Sequence, residues 1–323
     1  PRGPLRPPLG SWATRLLWST VSALMPPITS PVVLAGMHRS GTSLAASLLA
    51  SSGLHLGDRL MPAAEGNREG HFEDLEFVCF HEAALHARGL HPDGWDEVVV
   101  EELPRELEGR ARALVLARSS RPFWGWKDPR TTLFLPFWER LLPGAQFVFL
   151  YRDPWEVIDS LYRRGDALFQ GNPEAAARLW VHYNSAILDA LARLGARGLL
   201  FGLDDVARDP RGFVARVGRS VGLDLEAPAD LFRPERLHRG DSLADWRTLS
   251  GSVLTPALEV LRRLDERAVR PPGGRSAAED ARPGESAEGA LLRQWAALRR
   301  TERERDDARA VGGGGPRDGR LQL

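Results

Sequence analysis

The sequence predicts an α/β domain, a three-layer sandwich with a mostly parallel central sheet, on three observations. Short, nearly continuous apolar runs alternate with helix-length amphipathic segments along residues 31–268. Gly or Pro bounds these runs, as is typical of strands buried in a parallel sheet. Alternation of strands and helices in this order places helices on both faces of one sheet.

The elements are predicted in chain order from these patterns. The strand runs are PVVLAG, PFWGWKD, GAQFVFLYRD and GLLFGLDD. Helices are predicted at residues 42–52, 154–164 and 172–194. In the last of these, Asn172 is the cap, Pro173 fits the first turn and Gly195 follows the end. Because ligands of such sheets bind beyond the carboxyl ends of the strands, the functional site is expected at that edge.

The two ends of the chain differ from its centre in composition. Residues 1–30 are rich in Pro and Arg and are predicted to be a lead-in or linker; the missing initial methionine leaves an upstream domain open. Residues 269–323 contain few large apolar residues, which predicts a mostly disordered tail. One short amphipathic helix is predicted at 288–308, either as a partner-binding element or as a solvated charged segment.

Composition narrows the classes of partner. With 43 basic and 43 acidic residues, the net charge of zero predicts no nucleic-acid partner. No apolar run reaches the roughly 18 residues that span a bilayer, so no membrane span and a cytoplasmic location are expected. The single cysteine, Cys79, is predicted to be a buried thiol, and the histidines lack the spacing of metal ligands, so no metal site is expected.

A glycine-rich turn, GMHRSGTS, lies between the first strand and the first helix, with Gly36 and Gly41 as its glycines. Such a turn points successive amide hydrogens and a helix N-terminus at one anion. Thr42 stands where a nucleotidase has its lysine, and no acidic strand end is devoted to magnesium. A donor with a single 5′-phosphate group therefore suits this turn better than a nucleoside triphosphate. The residues predicted to bind the anion are His38, Arg39, Ser40, Gly41, Thr42 and Ser43.

A second stretch, FVFLYRDPWEVIDSLYRRG, follows the third strand run. Arg152 stands at the strand end, Asp153 is placed to cap the next helix, and Pro154 fits its first turn. Ser160 lies eight residues after Arg152, nearly two helical turns along. Both side chains reach one phosphate only if the ligand runs alongside the helix, well away from the first anion site. The spacing predicts a ligand with two separated phosphate groups.

On these two stretches the chain resembles the sulfotransferases that use 3′-phosphoadenosine 5′-phosphosulfate (PAPS), which have a P-loop NTPase-like fold. The resemblance covers roughly residues 31–250 and implies PAPS as co-substrate, without a metal. It makes the glycine turn the 5′-phosphosulfate loop, in which Arg39 matches the basic residue of the family. It places Arg152 and Ser160 at the 3′-phosphate.

Three further segments carry the resemblance. WKDPR, residues 126–130, is similar to the Lys-Asp-Pro segment of the bacterial, carbohydrate and tyrosyl-protein-like branch. LDDVARDP resembles the Tyr-Glu-Asp-Leu segment, with Leu203 in place of the tyrosine. LHRGDSLADWRTL is similar to the late Arg-Lys-Gly loop without its middle basic residue, which implies Arg239 and Gly240 at the 3′-phosphate.

Sulfuryl transfer needs positive charge near the departing phosphate and a base for the acceptor hydroxyl. Arg39 and Lys127, the only lysine of the chain, are the candidate cations. The candidate bases are His71 and Glu73. The reference pKa of histidine, near 6.5, favours His71, whereas the resemblance favours Glu73. Asp74 is a candidate cap for the following helix.

The predicted function is sulfuryl transfer to a hydroxyl of a carbohydrate, a tyrosine or a small molecule. Two other classes stay open. One is a nucleotide-dependent kinase or NTPase on the same turn, against which the missing lysine argues. The other is a non-catalytic module that binds the nucleotide without turnover, for which Leu203 and the incomplete late loop leave room.

Overall fold

The computed structural model describes residues 30–63, 70–227, 254–271 and 301. Its core is a four-stranded parallel sheet. The strands are β1 (Val32–Gly36), β2 (Gly125–Lys127), β3 (Gln146–Tyr151) and β4 (Gly198–Gly202). Each lies within a run that the sequence predicted as a strand, so the α/β fold class with a parallel sheet is confirmed.

The helices of the described residues connect and cover these strands. They are α1 (Thr42–Ser51), α2 (Leu75–His86), α3 (Arg105–Arg118), α4 (Leu135–Leu141), α5 (Pro154–Arg164), α6 (Ala167–Gly171), α7 (Pro173–Leu194), α8 (Leu203–Arg208), α9 (Pro210–Ser220) and α10 (Thr255–Arg267). Short 3-10 turns occupy Pro129–Phe134 and Gly195–Arg197.

Alternate side chains of the strands enter two separate cores. Val33 and Phe147 point to one face, where α2 to α7 and α10 contribute the covering residues. Leu34 and Val148 point to the other face, which α1, α8 and α9 cover. All four side chains are fully buried. Helices on both faces of the sheet make the predicted three layers.

The strand order β2-β1-β3-β4 places β1 and β3 side by side at the centre of the sheet. Leu34 of β1 pairs with Val148 of β3, while Val33 pairs with Trp126 of β2 on the other side. The chain leaves β1 toward β2 but leaves β3 toward β4. Such a divergence opens a crevice beyond the carboxyl ends of the two strands, where sheets of this class bind ligands.

Two predicted helices have the bounds that the sequence indicated. α5 runs over 154–164, and Asp153 caps it by accepting hydrogen bonds from the N–H groups of Trp155 (2.9 Å) and Glu156 (3.4 Å). α7 begins at Pro173 and ends before Gly195, which has the positive φ of 56° that glycine tolerates. Asn172 occupies the cap position of α7 without a side-chain capping bond.

The predicted burial of Cys79 is wrong, because this thiol is exposed. α2 turns Phe77 and Phe80 into the core, and Cys79 lies on its outer side, in a groove that Arg110 of α3 also lines. Trp124, Trp126, Trp138 and Trp180 are fully buried. Within the described residues, none of the helices has the length and apolar composition to cross a bilayer.

Several predictions fall on other parts of the chain. The linker at 1–30 and the tail at 269–323, with its helix at 288–308, lie almost entirely outside the described residues. The pair Arg239 and Gly240 lies outside them as well. The domain bounds 31–268 therefore stay predictions.

Candidate active site

The turn after β1 crosses the end of the sheet at very short range. The N–H group of Gly36 donates to Thr132 Oγ1 (3.0 Å), and a Cβ atom at Gly36 would lie 2.4 Å from the carbonyl oxygen of Leu150. At Gly41, whose φ is 85°, a Cβ atom would lie 2.3 Å from Leu203 Cδ1. Glycine is the residue that fits at both places. The turn therefore packs closely against the end of β3 and the start of α8.

Ser40 carries a hydroxyl group that suits an anion in this turn. Its side chain is fully buried, and among the described residues its Oγ has no hydrogen-bond partner. Gly41 at the N-cap of α1 offers no side-chain oxygen to the first amide hydrogens of the helix, and Thr42 begins that helix in a buried position. An unsatisfied buried polar group costs about 1–3 kcal/mol. A bound anion would relieve this cost and accept from the helix N-terminus.

Arg39 connects the turn to the helix that follows β3. Its backbone has the left-handed φ of 68°, and its Nε donates to Ser160 Oγ on α5 at 2.8 Å. Arg152 Nη1 donates to the carbonyl oxygen of Arg39 (3.4 Å), while its Nε donates to Glu156 Oε2 (2.6 Å). Trp180 Nε1 donates a hydrogen bond to the carbonyl oxygen of Arg152 (3.0 Å). The structure thus brings Arg39, Arg152 and Ser160 together.

The hydrogen bond between Arg39 and Ser160 differs from the sequence-based expectation, which placed Ser160 well away from the turn. The reason is the strand order: β1 and β3 are neighbours, so the turn after β1 and the first two turns of α5 leave the sheet side by side. Positive charge is concentrated there. Burial lowers the pKa of Arg39, and the nearby Arg164, Arg152 and Arg163 lower it further. Such a field favours a ligand with several negative charges.

Lys127, at the end of β2, joins the turn to the loop before α2. Its Nζ donates to Glu73 Oε1 (2.6 Å), to the carbonyl oxygen of His71 (3.0 Å) and to Ser43 Oγ (3.2 Å). Lys127 and Glu73 are both almost completely buried. Burial raises the pKa of the Glu73 carboxyl, and Lys127 offsets part of this effect. A buried carboxylate therefore lies directly beside the turn.

The backbone before α2 fixes the position of Glu73. Phe72 has a left-handed φ of 56°, a conformation that costs a non-glycine residue about 1–2 kcal/mol. It presents the His71 carbonyl and the Glu73 carboxylate to the same ammonium group. Asp74 caps α2 by accepting from the N–H of Glu76 (3.0 Å), so Glu73 stands just before the helix.

His71 takes part in these contacts through its backbone. Its carbonyl oxygen accepts from Lys127, whereas its ring is only partly buried. Burial lowers the pKa of this imidazole, and Lys127 and Arg39 lower it further. Of the two predicted bases, Glu73 is the one whose titrating group contacts Lys127.

His38 faces a wall formed by residues 91–95. Its Nε2–H donates to the carbonyl oxygen of Asp93 (3.1 Å), and its ring lies 4.4 Å from that of Trp95 between centroids. Burial, followed by the charge of Arg130, holds the pKa of His38 well below its ordinary value. His38 is therefore a neutral group that fixes the wall, and it adds no charge to the turn.

Sequence reasoning missed a buried chain of side chains behind Glu73. Asp128 accepts from Arg130 Nη1 (3.2 Å) and from His81 Nδ1 (2.9 Å). Trp138 Nε1 in turn donates to His81 Nε2 (3.0 Å). Asp128 and Arg130 stand in WKDPR and could have been suspected from their place beside the candidate cation. His81 has no such signal, since it meets Asp128 across 47 positions of the chain.

The described ranges contain no group of three His, Cys, Asp or Glu side chains that could hold a metal ion. Arg239 and Gly240, predicted at the 3′-phosphate, lie outside those ranges. The remaining predicted site residues lie near the carboxyl end of the sheet and are linked by the contacts described above. They form a glycine-rich turn, a neighbouring arginine and serine pair, and a buried lysine and glutamate pair.

Comparison with known proteins gives the family. The model of the sulfotransferase family matches residues 31–227. No match was found among curated proteins. Among solved structures, the sulfotransferase domain from the curacin biosynthetic pathway is 19% identical, with 67% of this chain and 80% of that one covered and a TM-score of 0.42. A sulfotransferase from Alicyclobacillus acidocaldarius is 14% identical, with 74% and 97% covered and a TM-score of 0.45.

A third similar structure is a retinol dehydratase solved with retinol and PAP. It is 15% identical, with 93% of this chain and 84% of that one covered and a TM-score of 0.32. The family match spans more than half of the 323 residues. The chain therefore belongs to the sulfotransferase family and is a sulfotransferase.

Proposed function

We propose that this chain transfers a sulfuryl group from PAPS to a hydroxyl group of a carbohydrate, a tyrosine or a small molecule. The single observation that carries the proposal is the position of Lys127. Its ammonium group contacts the anion-binding turn at Ser43 and the buried carboxylate of Glu73 at the same time. Sulfuryl transfer needs an anion site, a cation near the leaving phosphate and a base for the acceptor hydroxyl. Lys127 is a candidate for the cation and contacts the candidates for the other two.

The residues around the crevice fit the donor. The hydroxyl of Ser40 that lacks a partner among the described residues, together with the start of α1, suits the 5′ phosphosulfate end. The arginines beside α5 suit a second anionic group. The donor-binding residues proposed are His38, Arg39, Ser40, Gly41, Thr42, Ser43, Arg152, Ser160, Arg239 and Gly240. When bound, PAPS supplies an activated sulfuryl group on a phosphate leaving group.

The catalytic roles follow from chemistry and position. Lys127 and Arg39 place positive charge where negative charge develops on the leaving phosphate, which is usually the largest contribution to such catalysis. Glu73 accepts the proton of the acceptor hydroxyl. Burial raises the pKa of Glu73 toward neutral pH, where a carboxylate is a more effective base. His71 is the alternative base. A cytoplasmic location and independence from metal ions belong to the same proposal.

The activity is tested with ³⁵S-labelled PAPS and three acceptors: a phenol, a monosaccharide and a tyrosine-containing peptide. We expect label to pass to at least one of them, with a chelator present as well as absent. Adenosine 5′-phosphosulfate, which lacks the 3′-phosphate, serves as the control donor and should react far more slowly. Nucleotide binding without transfer would support the non-catalytic module. Magnesium-dependent ATP hydrolysis would support the NTPase.

A further inference from the structure

Arg130 is buried in the site, and its guanidinium group is held by hydrogen bonds at each nitrogen. Its Nε donates to the carbonyl oxygen of Pro92 (2.8 Å) and its Nη1 to Asp128 Oδ1 (3.2 Å). Its Nη2 donates to Glu82 Oε1 (3.2 Å) and Asp93 Oδ1 (3.4 Å). Each nitrogen of the guanidinium group is thus engaged, and the planar fork has one orientation.

That orientation brings Arg130 to the free side of the Glu73 carboxylate. Nη1 lies 3.8 Å from Glu73 Oε2, whereas Lys127 holds Oε1 at 2.6 Å. The carboxylate therefore lies between two cations, one at each oxygen. The distance from Arg130 is too long for a hydrogen bond, and the described residues give Oε2 no other donor. This oxygen is the one left to meet an acceptor hydroxyl.

Asp128 and His81 hold Arg130 from behind. The backbone N–H of Arg130 donates to Asp128 Oδ1 (2.9 Å), the same oxygen that accepts from its guanidinium group. Trp138 Nε1 donates to His81 Nε2, which assigns a proton to Nδ1, so that Nδ1–H donates to Asp128 Oδ2. Burial alone would raise the pKa of Asp128, yet Arg130 and His81 hold it well below its ordinary value.

Arg130 and Asp128 have opposite effects on the pKa of Glu73. The charge of Arg130 lowers the pKa of the Glu73 carboxyl, and the charge of Asp128 raises it. With Lys127 included, the buried cluster holds two positive and two negative charges. The charged or titratable groups that face it from the surrounding elements are Lys127, Asp128, Arg130, His81, Glu82, Asp93, His38 and His71.

We propose that Arg130 is a positioning residue for the base Glu73, and that Asp128 and His81 are the buried groups that keep it in place. This inference rests on the proposed role of Glu73. Arg130 limits the rotation of the carboxylate, keeps Oε2 on the side away from Lys127 and favours the ionised form of Glu73.

The test is the pH dependence of kcat for Arg130→Gln and Asp128→Asn. In the wild type, kcat rises with pH as Glu73 loses its proton, and this rise is the acid limb of the pH profile. Loss of the arginine charge should shift this acid limb upward by about one pH unit, since a charge at this distance moves a pKa by that order. Below the limb, kcat should fall about tenfold, because one pH unit is a tenfold change in the ionised fraction. Asp128→Asn should shift the limb downward.

Matched variants separate positioning from general damage. Arg130→Lys keeps the charge but loses the fork, so its limb should stay near that of the wild type while kcat falls. Arg193→Gln removes a guanidinium that holds Glu139 with two bonds at the far end of α7, and it should leave the profile unchanged. Calorimetry with the desulfated product PAP should give wild-type affinity for each Arg130 variant.

The outcomes distinguish a wrong positioning role of Arg130 from a wrong assignment of Glu73 as the base. If Glu73→Gln keeps full activity, the proposed base is wrong. If Glu73→Gln is inactive while Arg130→Gln and Asp128→Asn keep the wild-type limb, only the positioning role is overturned. Should Arg130→Gln not fold, Arg130→Lys decides: a lower kcat at an unshifted limb supports the inference, and wild-type kcat overturns it.

Discussion

Lys127, the only lysine among the 43 basic residues of the chain, occupies a position that suits an ammonium group. Its ammonium nitrogen serves three acceptors within 3.2 Å in an almost completely buried position. A compact ammonium group can direct three donors at different angles, whereas a guanidinium group is a larger planar fork. The sequence could therefore single out the residue, but only the structure shows the three contacts that require it.

The first prediction concerns this residue. Lys127→Arg should lower kcat by about 10²-fold or more, because one positioned donor at a developing charge is worth that much. The affinity for PAP should change little. Steady-state kinetics and calorimetry measure the two quantities. Arg112→Lys, in an exposed pair with Glu108, is the control and should behave as the wild type. A fully active Lys127→Arg variant would remove the special role of the ammonium group.

The second prediction concerns the base. Glu73→Gln keeps the size of the side chain but cannot take a proton, so kcat should fall about 10²- to 10⁴-fold. Affinity for PAP should stay nearly unchanged. Glu76→Gln, three residues along on an exposed part of α2, is the matched control. If Glu73→Gln is active and His71→Ala is not, the base is His71.

The third prediction concerns the phosphate groups of the donor. Arg152→Ala should weaken the binding of PAP by roughly 10- to 100-fold, as expected for a lost charge-assisted hydrogen bond. The binding of adenosine 5′-phosphate, which lacks the 3′-phosphate, should change far less. Calorimetry with both nucleotides gives the two affinities. Equal losses for the two ligands would mean that Arg152 does not recognise the 3′-phosphate.

At the scale of the elements, the sequence predicted what depends on neighbouring residues. The strand runs, the bounds of α5 and its cap Asp153 follow from local composition and stereochemistry. The contact between Arg39 and Ser160 depends on the order of the strands, since it requires β1 and β3 to be adjacent. Local patterns do not state that order. The sequence therefore predicted that Ser160 lies away from the turn, whereas in the structure Ser160 accepts a hydrogen bond from Arg39.

A prediction at this scale tests the close approach of β1 to β3. Gly36→Ala should destabilise the fold, because its Cβ atom would lie 2.4 Å from the carbonyl oxygen of Leu150. Gly109→Ala is the opposite case: this glycine lies within α3 and a Cβ atom there would meet no atom within 4 Å. It should stabilise the helix by about 0.5–1 kcal/mol. Thermal unfolding of both variants measures the contrast, and equal midpoints would contradict the packing described for the turn.

For the whole molecule, a net charge of zero coexists with a local group of basic side chains at the carboxyl edge of the sheet. Arg39 lies among other arginines at the carboxyl edge of the sheet, and Lys127 lies nearby. The sequence singled out Arg39, Lys127 and Arg152 one by one, because each ends a strand run or lies in the turn after it. It could not predict the support from His81, which α2 brings from another part of the chain to Asp128. Contacts of that kind depend on packing between layers.

The central claim is that the turn after β1 and the start of α5 bind the two ends of one adenine nucleotide. Calorimetry with PAP, compared with ATP and magnesium, tests it most directly. We expect PAP to bind without metal and much more tightly than ATP with magnesium, and we expect Arg39→Ala and Arg152→Ala each to weaken PAP binding. Tighter binding of ATP with magnesium, or equal binding of PAP and adenosine 5′-phosphate, would contradict it.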